Sequence, residues 1–506
     1  MRNALWPLSG VLAALVGAAA GHAVAHLLNP AASPVVAVGA VVIDATPTPV
    51  KEWATSTLGT ADKAVLVVGV ILFVALLGAL AGWLARPRRG LAIGLVAALG
   101  VISGVAALSR PDAGPLDVLP ALVSTVVGRW LLLGFPRWVL SGDSSADDLT
   151  RLAHPQARRR FLIGGAGLAA AGGALALLGD RSLTGLGGSA SSAVRLPMPD
   201  EQLPPLPAGL EGRVAALSPL RTPTPDFYRI DIALVTPRVD YDDWELTIDG
   251  LVDRPYTLTF DELLAMPMIE RDITLTCVSN PVGGDLCGST RWLGVRVDEL
   301  LRRAGPQQGA DMVLSSAPDG FSASTPLEVL LDGRNAMIAV AMDGEPLTRI
   351  HGAPARLLTP GLYGYVGATK WLTRLQVTSF AKSTAYWTDR GWSPRGPVKT
   401  ACRIDTPRTS AAAGETHIAG VAWATHRGIS KVEVSVDDGP WQEAELGPDV
   451  GVDYWRQWVL PWRAERGQHR LVARATDGDG VVQSSEIRDV VPDGAEGYHV
   501  VDVQVG

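Results

Sequence analysis

Cysteine is almost absent from this chain. Cys277, Cys287 and Cys402 are the only three in 506 residues, too few and too widely placed for a disulfide framework, although one Cys277–Cys287 bridge stays open. No cysteine cluster suited to an iron–sulfur centre and no cytochrome-like haem-binding domain is present, so no haem is expected in this chain. Basic faces interleaved with aromatics are missing from the C-terminal two thirds, and the net charge is only −7; nothing points to nucleic acid as a partner. Charged residues make up 19% of the chain against 47% hydrophobic, and the mean hydropathy is +0.20. The apolar excess lies in an Ala/Leu/Val/Gly-rich first third, which reads as a membrane region joined to an ordinary globular remainder, about three units in all.

Residues 5–28, 64–85, 91–108 and 116–135 each approach the roughly 20 apolar residues that span a bilayer, which predicts four helices within 1–145. The run Pro34–Ile43 is about half that length and reads as interfacial or re-entrant. Arg86, Arg88 and Arg89 crowd the second loop; Arg137, Arg151 and Arg158–Arg160 crowd the fourth. The positive-inside rule then puts the N-terminus and both basic loops in the cytoplasm.

Arg158-Arg-Arg160-Phe161-Leu162 precedes an apolar Gly/Ala-rich segment reaching about Gly179. It resembles a twin-arginine export signal placed before a fifth helix, with 146–182 as loop plus helix. Plain positive-inside anchoring is the simpler reading of the same arginines. Either reading leaves the remainder on the extracytoplasmic side of a multi-pass cytoplasmic membrane protein. Residues 183–225 are rich in Pro, Gly and Ser and read as an extended linker.

Beyond the linker, Trp244–Asp249 alternates as a half-buried strand, Phe260–Leu264 and Val297–Ala304 read as short helices, and Gly305 supplies a stop. Short strands mixed with short helices predict an α+β domain over 226–404. Asp272–Cys277 returns to a strand and delivers Cys277 into the loop Val278-Ser-Asn280-Pro-Val-Gly-Gly284. A cysteine there can serve a metal or an electrophile, or can simply be buried structure. Val432–Asp437, Arg456–Leu460 and His469–Ala475 alternate between Asp-Gly turns, which predicts an immunoglobulin-like β-sandwich over 405–506.

Six ordered stretches carry a family resemblance across about 180 residues. They are Phe227-Tyr-Arg-Ile-Asp231, Thr274-Leu-Thr-Cys277-Val-Ser-Asn280, Arg291-Trp-Leu-Gly294-Val, Asp319-Gly-Phe-Ser-Ala-Ser, His351-Gly-Ala-Pro-Ala-Arg356 with Pro360-Gly-Leu-Tyr-Gly364, and Lys370-Trp371-Leu372. Together they resemble the molybdopterin-binding domain of the sulfite oxidase family, nearest its membrane-attached bacterial members. The resemblance implies a molybdenum held by one pterin and by the Cys277 thiolate. It also implies pterin-phosphate anchoring by His351, Arg356 and Lys370 with Thr369 beside it, supported by Asn280 and Asp319, and Arg229 near the metal. The family carries a sandwich after this domain, often for dimerisation, so a homodimer through 405–506 is one expectation.

Sulfite-oxidising members of the family surround their dianion with arginines and a tyrosine. This chain has no arginine just beyond Asn280, where those members have one, Arg390 stands where they have the tyrosine, and Asp493–His499 lacks an arginine. Tyr386, Trp387, Arg390 and Trp392 are candidates for a less charged substrate pocket, with Tyr386 and Arg390 as catalytic candidates. The expectation is a molybdenum oxidoreductase acting on a small substrate by oxygen-atom transfer, with sulfite oxidation proper as the alternative. A metal-free membrane scaffold is the alternative of another class. A quinone or a separate cytochrome is the expected electron partner. His22 and His26 share a face of the first helix, where packing is favoured over haem ligation.

Overall fold

In a computed structural model of the chain, residues 5–47, 50, 53–54, 57, 62–111, 113–140, 155–186 and 194–506 are described. Arg151 with most of the basic loop, and the start of the linker at 187–193, lie outside them. The chain divides into a helical unit and a second unit formed by Ala190–Asp231 with Arg238–Gly506.

Long uninterrupted apolar sequence gives the helical unit α1 (Leu5–Leu28), α3 (Asp62–Ala85), α4 (Arg89–Leu108) and α5 (Leu119–Leu140), with the short α2 (Pro34–Ala45). Among the described residues, four helices are long and apolar enough to cross a membrane, within one or two residues of the expected starts. α5 continues through Pro136 and so outlasts the expected end at Phe135. α6 (Pro155–Leu186) begins before Arg158–Arg160, carries them in its first turns and runs past Gly179; it is not among those four spans. Small residues let these helices meet backbone to backbone. A Cβ at Gly10 would collide with the Gly78 carbonyl, and one at Gly82 with the Trp6 carbonyl, so α1 and α3 depend on glycine. Phe73, Leu76 and Trp83 stay 60%, 66% and 60% exposed, a face that suits lipid. His22 hydrogen-bonds Ser33 Oγ at 2.9 Å and His26 bonds the His22 carbonyl at 2.9 Å, which are packing roles.

The second unit opens with two sheets. In the first, β2 (Tyr256–Thr259), β1 (Glu245–Gly250), β11 (Arg374–Thr378), β5 (Met312–Ser316) and β6 (Ser322–Pro326) lie in that order, with β1 and β11 parallel. In the second the order is β10 (Ala368–Thr369), β9 (Arg356–Leu358), β7 (Met337–Met342), β4 (Cys287–Arg296) and β3 (Ile269–Thr276), with β8 (Glu345–Pro346) on β7. One face of the second sheet packs with the first around Trp244, Ile248, Leu300 and Ile338. Its other face is covered by Phe227, Ala353 and Leu347 over Ile273, Trp292 and Met337. Burial on both faces explains why β7 reads Met-Ile-Ala-Val-Ala-Met with no alternation. Between strands, α7 (Phe260–Leu264) starts on a Thr259–Glu262 capping box and α8 (Val297–Ala304) ends on Gly305 in a left-handed conformation. Two short helices, α9 (Leu327–Leu331) and α10 (Gly364–Gly367), complete this domain.

The last hundred residues form two facing sheets. One is β12 (Ala401–Thr406), β14 (Gly414–Trp423), β18 (Arg456–Ala464) and β17 (Glu445–Leu446). The other is β13 (Ser410–Ala411), β20 (His499–Val505), β19 (Gly467–Asp477), β15 (Ile429–Val436) and β16 (Gln442–Glu443). Trp458, Ile404, Val432 and Leu471 fill the space between, as the alternating strands require.

The stretch read as an extended linker packs against the sandwich over part of its length. Leu210, Val214 and Leu217 are buried against Ala419 and Val459 of the sandwich, and Leu210 N–H donates to Gln457 Oε1 at 2.7 Å. Thr222 N–H donates to the Ser289 carbonyl at 2.7 Å, so the same stretch also laces β4. The α+β domain and the sandwich share a further core of Val278, Tyr363, Trp392, Trp423, Tyr454 and Trp455. Trp455 N–H donates to Thr274 Oγ1 at 2.7 Å, and its indole N–H to the Leu220 carbonyl at 2.7 Å. A chain truncated after residue 400 would therefore expose this aromatic core. Its expected behaviour is aggregation on size-exclusion chromatography; a monodisperse truncated protein would show the two domains to be independent.

Candidate active site

Cys277 stands one residue past β3, where the antiparallel register Thr276↔Cys287 closes the β3–β4 hairpin. Its N–H donates to the Leu286 carbonyl at 2.9 Å, and Asn280 N–H returns to the Cys277 carbonyl at 3.2 Å. Asn280 Oδ1 accepts from Leu286 N–H at 2.9 Å, so this side chain ties the loop shut. All three cysteines are free thiols, and the Cys277–Cys287 bridge is not formed. Cys277 is 9% exposed. Burial raises its thiol pKa, while the Ser279 N–H and hydroxyl, the Lys370 charge and the Val278 N–H pull toward the thiolate. A metal cation at the sulfur would supply the missing compensation.

The face of the second sheet beneath Phe227 gathers the cations. Arg356 opens β9 in register with Ala339 of β7. It is buried, donates from Nη1 to the His351 carbonyl at 3.0 Å and lies 5.2 Å from the Trp292 ring centroid. Its Nε is buried with no hydrogen-bond partner. Burial lowers its pKa to about 10. His351 Nε2 bonds the Thr224 carbonyl at 3.1 Å, and its ring meets Phe227 edge-on. Burial, then the charges of Arg356, Lys370 and Arg229, bring His351 down to about 4. The intervening Gly352 sits at φ +105, and a Cβ there would lie 2.9 Å from Lys370 Cα; the His-Gly pair is what lets this turn touch the lysine.

Lys370 Nζ donates to Asp231 Oδ2 at 2.9 Å and to the Ile350 carbonyl at 3.1 Å. Its pKa falls to about 8, first by burial, which the Asp231 charge opposes and the Arg356 charge reinforces. Arg229 Nε donates to the same Asp231 oxygen at 3.1 Å. Arg229 and Lys370 thus share one carboxylate, and Arg356 and His351 lie near enough for the Arg356 and Lys370 charges to act on one another and on the imidazole. An excess of buried positive charge with an unpartnered N–H is a site for an anion such as a phosphate, and it adjoins a buried thiol. The residues present fit a phosphate-bearing cofactor whose metal takes a thiolate.

The other expected residues are placed differently. Thr369 is fully buried with its hydroxyl on Ser315 Oγ at 2.7 Å, a strand-fixing role beside Lys370. Asp319 Oδ1 accepts from Phe321 N–H at 3.0 Å in its own turn. Arg390 stacks 3.6 Å over the Tyr386 ring and donates to the Tyr386 carbonyl at 2.7 Å. Their ring contacts run to Phe321 and, through Trp387, to Trp392 in the shared core. Trp392 is 7% exposed and belongs to that core.

Sequence reading passed over Tyr228 and Asp231 as site residues although both stand in the first quoted stretch. Tyr228 has its hydroxyl pKa pushed well up by burial and then by Cys277. It also passed over Tyr363, pushed up to about 12 by burial, with Asp493 and Cys277 adding to the shift. A cavity of about 220 Å³ opens between the Cys277 loop and the sandwich, lined among others by Asn280, Val282, Tyr363, Lys399 and Glu496.

The family profile described as "Oxidoreductase molybdopterin binding domain" matches residues 233–387. Mitochondrial sulfite oxidase of Rattus norvegicus is 29% identical over 341 residues, covering 56% of this chain and 61% of the relative. The chain thus spans about six tenths of the length of the sulfite oxidases it matches. The oxidoreductase YuiH of Bacillus subtilis (strain 168) is 34% identical over 157 residues, covering 31% of this chain and 76% of the relative. Among solved structures, the sulfane dehydrogenase SoxCD of Paracoccus pantotrophus aligns with TM-score 0.51 and 23% identity over 57% of this chain and 82% of that chain, a likeness of fold.

Two outcomes follow from the charge cluster. Arg356→Met should lower molybdenum per purified chain at least tenfold, measured by mass spectrometry of the metal; an unchanged content would remove Arg356 from the anchoring set. His351 sits at about 4 when folded against an ordinary 6.5. Between those values the unfolded chain binds a proton that the folded chain does not, so stability falls as pH drops through this window. In cofactor-free protein His351→Gln should flatten the fall of melting midpoint from pH 6.5 to pH 4, and an unaltered slope would contradict it.

Proposed function

Because the chain belongs to the sulfite oxidase family of molybdopterin oxidoreductases, we propose that it is a membrane-anchored enzyme performing two-electron redox on a small substrate outside the cytoplasm. The observation that carries this reading is the buried Cys277 sulfur beside the excess of buried cations. When bound, a single-pterin molybdenum cofactor supplies oxygen-atom-transfer redox chemistry, with the protein responsible for binding and electrostatics.

Cys277 would ligate the metal, a soft donor for a transition ion. Arg356, His351 and Lys370 would hold the pterin phosphate, for which a buried guanidinium and an ammonium suit several oxygens at once. Arg229 and Asp231 fix the lysine from the outer side. Burial, with the nearby Cys277 sulfur adding to it, raises the hydroxyl pKa values of Tyr228 and Tyr363, so both stay weakly acidic donors near the ligand loop.

The cavity beside the Cys277 loop supports an uncharged substrate over a sulfite-like dianion. Its cation Lys399 already meets Asp493 at 2.9 Å, Glu496 at 2.7 Å and the Gly494 carbonyl at 2.8 Å. Four apolar spans exceed what tethering requires, which supports electron exchange with a quinone in the bilayer or with a separate cytochrome. The basic second loop supports a cytoplasmic side for that loop, and Arg158–Leu162 a twin-arginine route for a domain folded around its cofactor.

Cys277→Ser should leave the protein folded and abolish turnover in a screen of neutral sulfoxides, N-oxides and sulfite with an artificial electron donor or acceptor. Turnover retained with wild-type metal spectra would overturn the ligand assignment. Sulfite as the best substrate would restore the sulfite oxidase alternative.

A further inference from the structure

The loop that carries Cys277 is held from two sides, and the second side is the sandwich. On β12, Arg403 is 4% exposed and Asp405 7%. Arg403 Nε donates to Asp405 Oδ1 at 2.6 Å, Nη2 to Ser218 Oγ at 2.8 Å and Nη1 to the Gly284 carbonyl at 2.9 Å. Ser218 N–H donates to Asp405 Oδ2 at 3.1 Å, so the guanidinium is fixed before it reaches the loop. One residue earlier in the loop, Gly283 has φ +76, and any Cβ there would run into the His499 imidazole at the start of β20. His499 Nδ1 accepts from Ile404 N–H at 2.9 Å, which orients that ring from the neighbouring strand.

The contact passes inward by short steps. A Cβ at Gly284 would run into Asn280 Oδ1, Asn280 N–H bonds the Cys277 carbonyl, and Val278 sits in the core shared with Trp423 and Trp455. We propose that Arg403 and His499 are positioning residues for Cys277, making the sandwich a working part of the metal site as well as a neighbour of it. The inference rests on the assignment of Cys277 as thiolate ligand. A loop with two glycines at its tip has many conformations available, and the clamp selects one of them, which is the preorganisation a metal ligand needs.

The test uses the full-length holoprotein in detergent with Arg403→Lys, Arg403→Gln and His499→Asn; the asparagine keeps an acceptor for Ile404 N–H while removing the ring from Gly283. Arg474→Gln, whose pair with Glu433 joins β19 to β15 in the sandwich sheet that does not carry Arg403, is the control. In His499→Asn and Arg403→Gln, molybdenum content should stay within twofold of wild type, because the anchoring cations are untouched. The sulfur-to-molybdenum charge-transfer band should shift, and kcat should fall at least tenfold with KM within twofold. Arg403→Lys, which keeps one donor for Gly284, should recover part of the band and the rate. Should Arg403→Gln fail to accumulate, His499→Asn decides.

An unchanged band and kcat in His499→Asn, or an equal shift in the Arg474→Gln control, would overturn the proposal and leave the contact purely structural. If wild-type chain carries no molybdenum the functional reading fails, and a separate arm still decides the clamp. In metal-free protein, iodoacetamide labelling of Cys277 relative to Cys402 should quicken about tenfold in His499→Asn; an unchanged ratio would overturn it.

Discussion

Burying three basic side chains, His351, Arg356 and Lys370, with Arg229 at their edge and one carboxylate among them, is the constraint on which the rest of this structure depends. Desolvation alone disfavours such a cluster, and each positive charge worsens the position of the next. The depressed pKa values of His351, Lys370 and Arg356 are the signature of that cost. A fold keeps a cost of this kind only where the rest of the protein over-determines it. Here the second sheet is packed on both faces, so Arg356 is delivered by a central strand arrangement and Lys370 by a turn that only Gly352 allows.

The same sheet places the thiol. The β3–β4 hairpin ends beside the charge cluster, and its loop is closed internally by Asn280 and externally by Arg403 and His499. Linker, α+β domain and sandwich consequently form a single mechanical body around Cys277. The Pro-rich stretch contributes Leu210, Leu217 and Thr222 to that body, and Trp455 ties the sandwich to both Thr274 and Leu220.

Much of this was legible in the sequence because it is local. Apolar length marks the membrane spans, Gly305 marks the end of α8, and Asp-Gly turns between alternating runs mark the sandwich. Cys277, His351, Arg356 and Lys370 were legible through ordered stretches and not through any pattern of spacing. What stayed hidden depends on residues far apart in the chain. Asp231 gains its role only when it meets Lys370, 139 positions away. Arg403 reads as one basic residue in an alternating strand until Gly284, 119 positions earlier, is brought to its guanidinium. The packing of Leu210, Val214 and Leu217 stayed hidden because the linker's apolar residues are diluted by proline and glycine. The sequence also does not show that Asn280 Oδ1 closes the Cys277 loop on Leu286 or that the Thr369 hydroxyl meets Ser315.

Cys277 as metal ligand is the claim from which the others follow, and X-ray absorption at the molybdenum edge addresses it without reference to substrate. The account predicts that sulfur scatterers around the metal drop by one when Cys277→Ser is compared with the wild-type chain at equal metal loading, since the pterin sulfurs remain and the protein sulfur is lost. An identical sulfur count in the two proteins would contradict it.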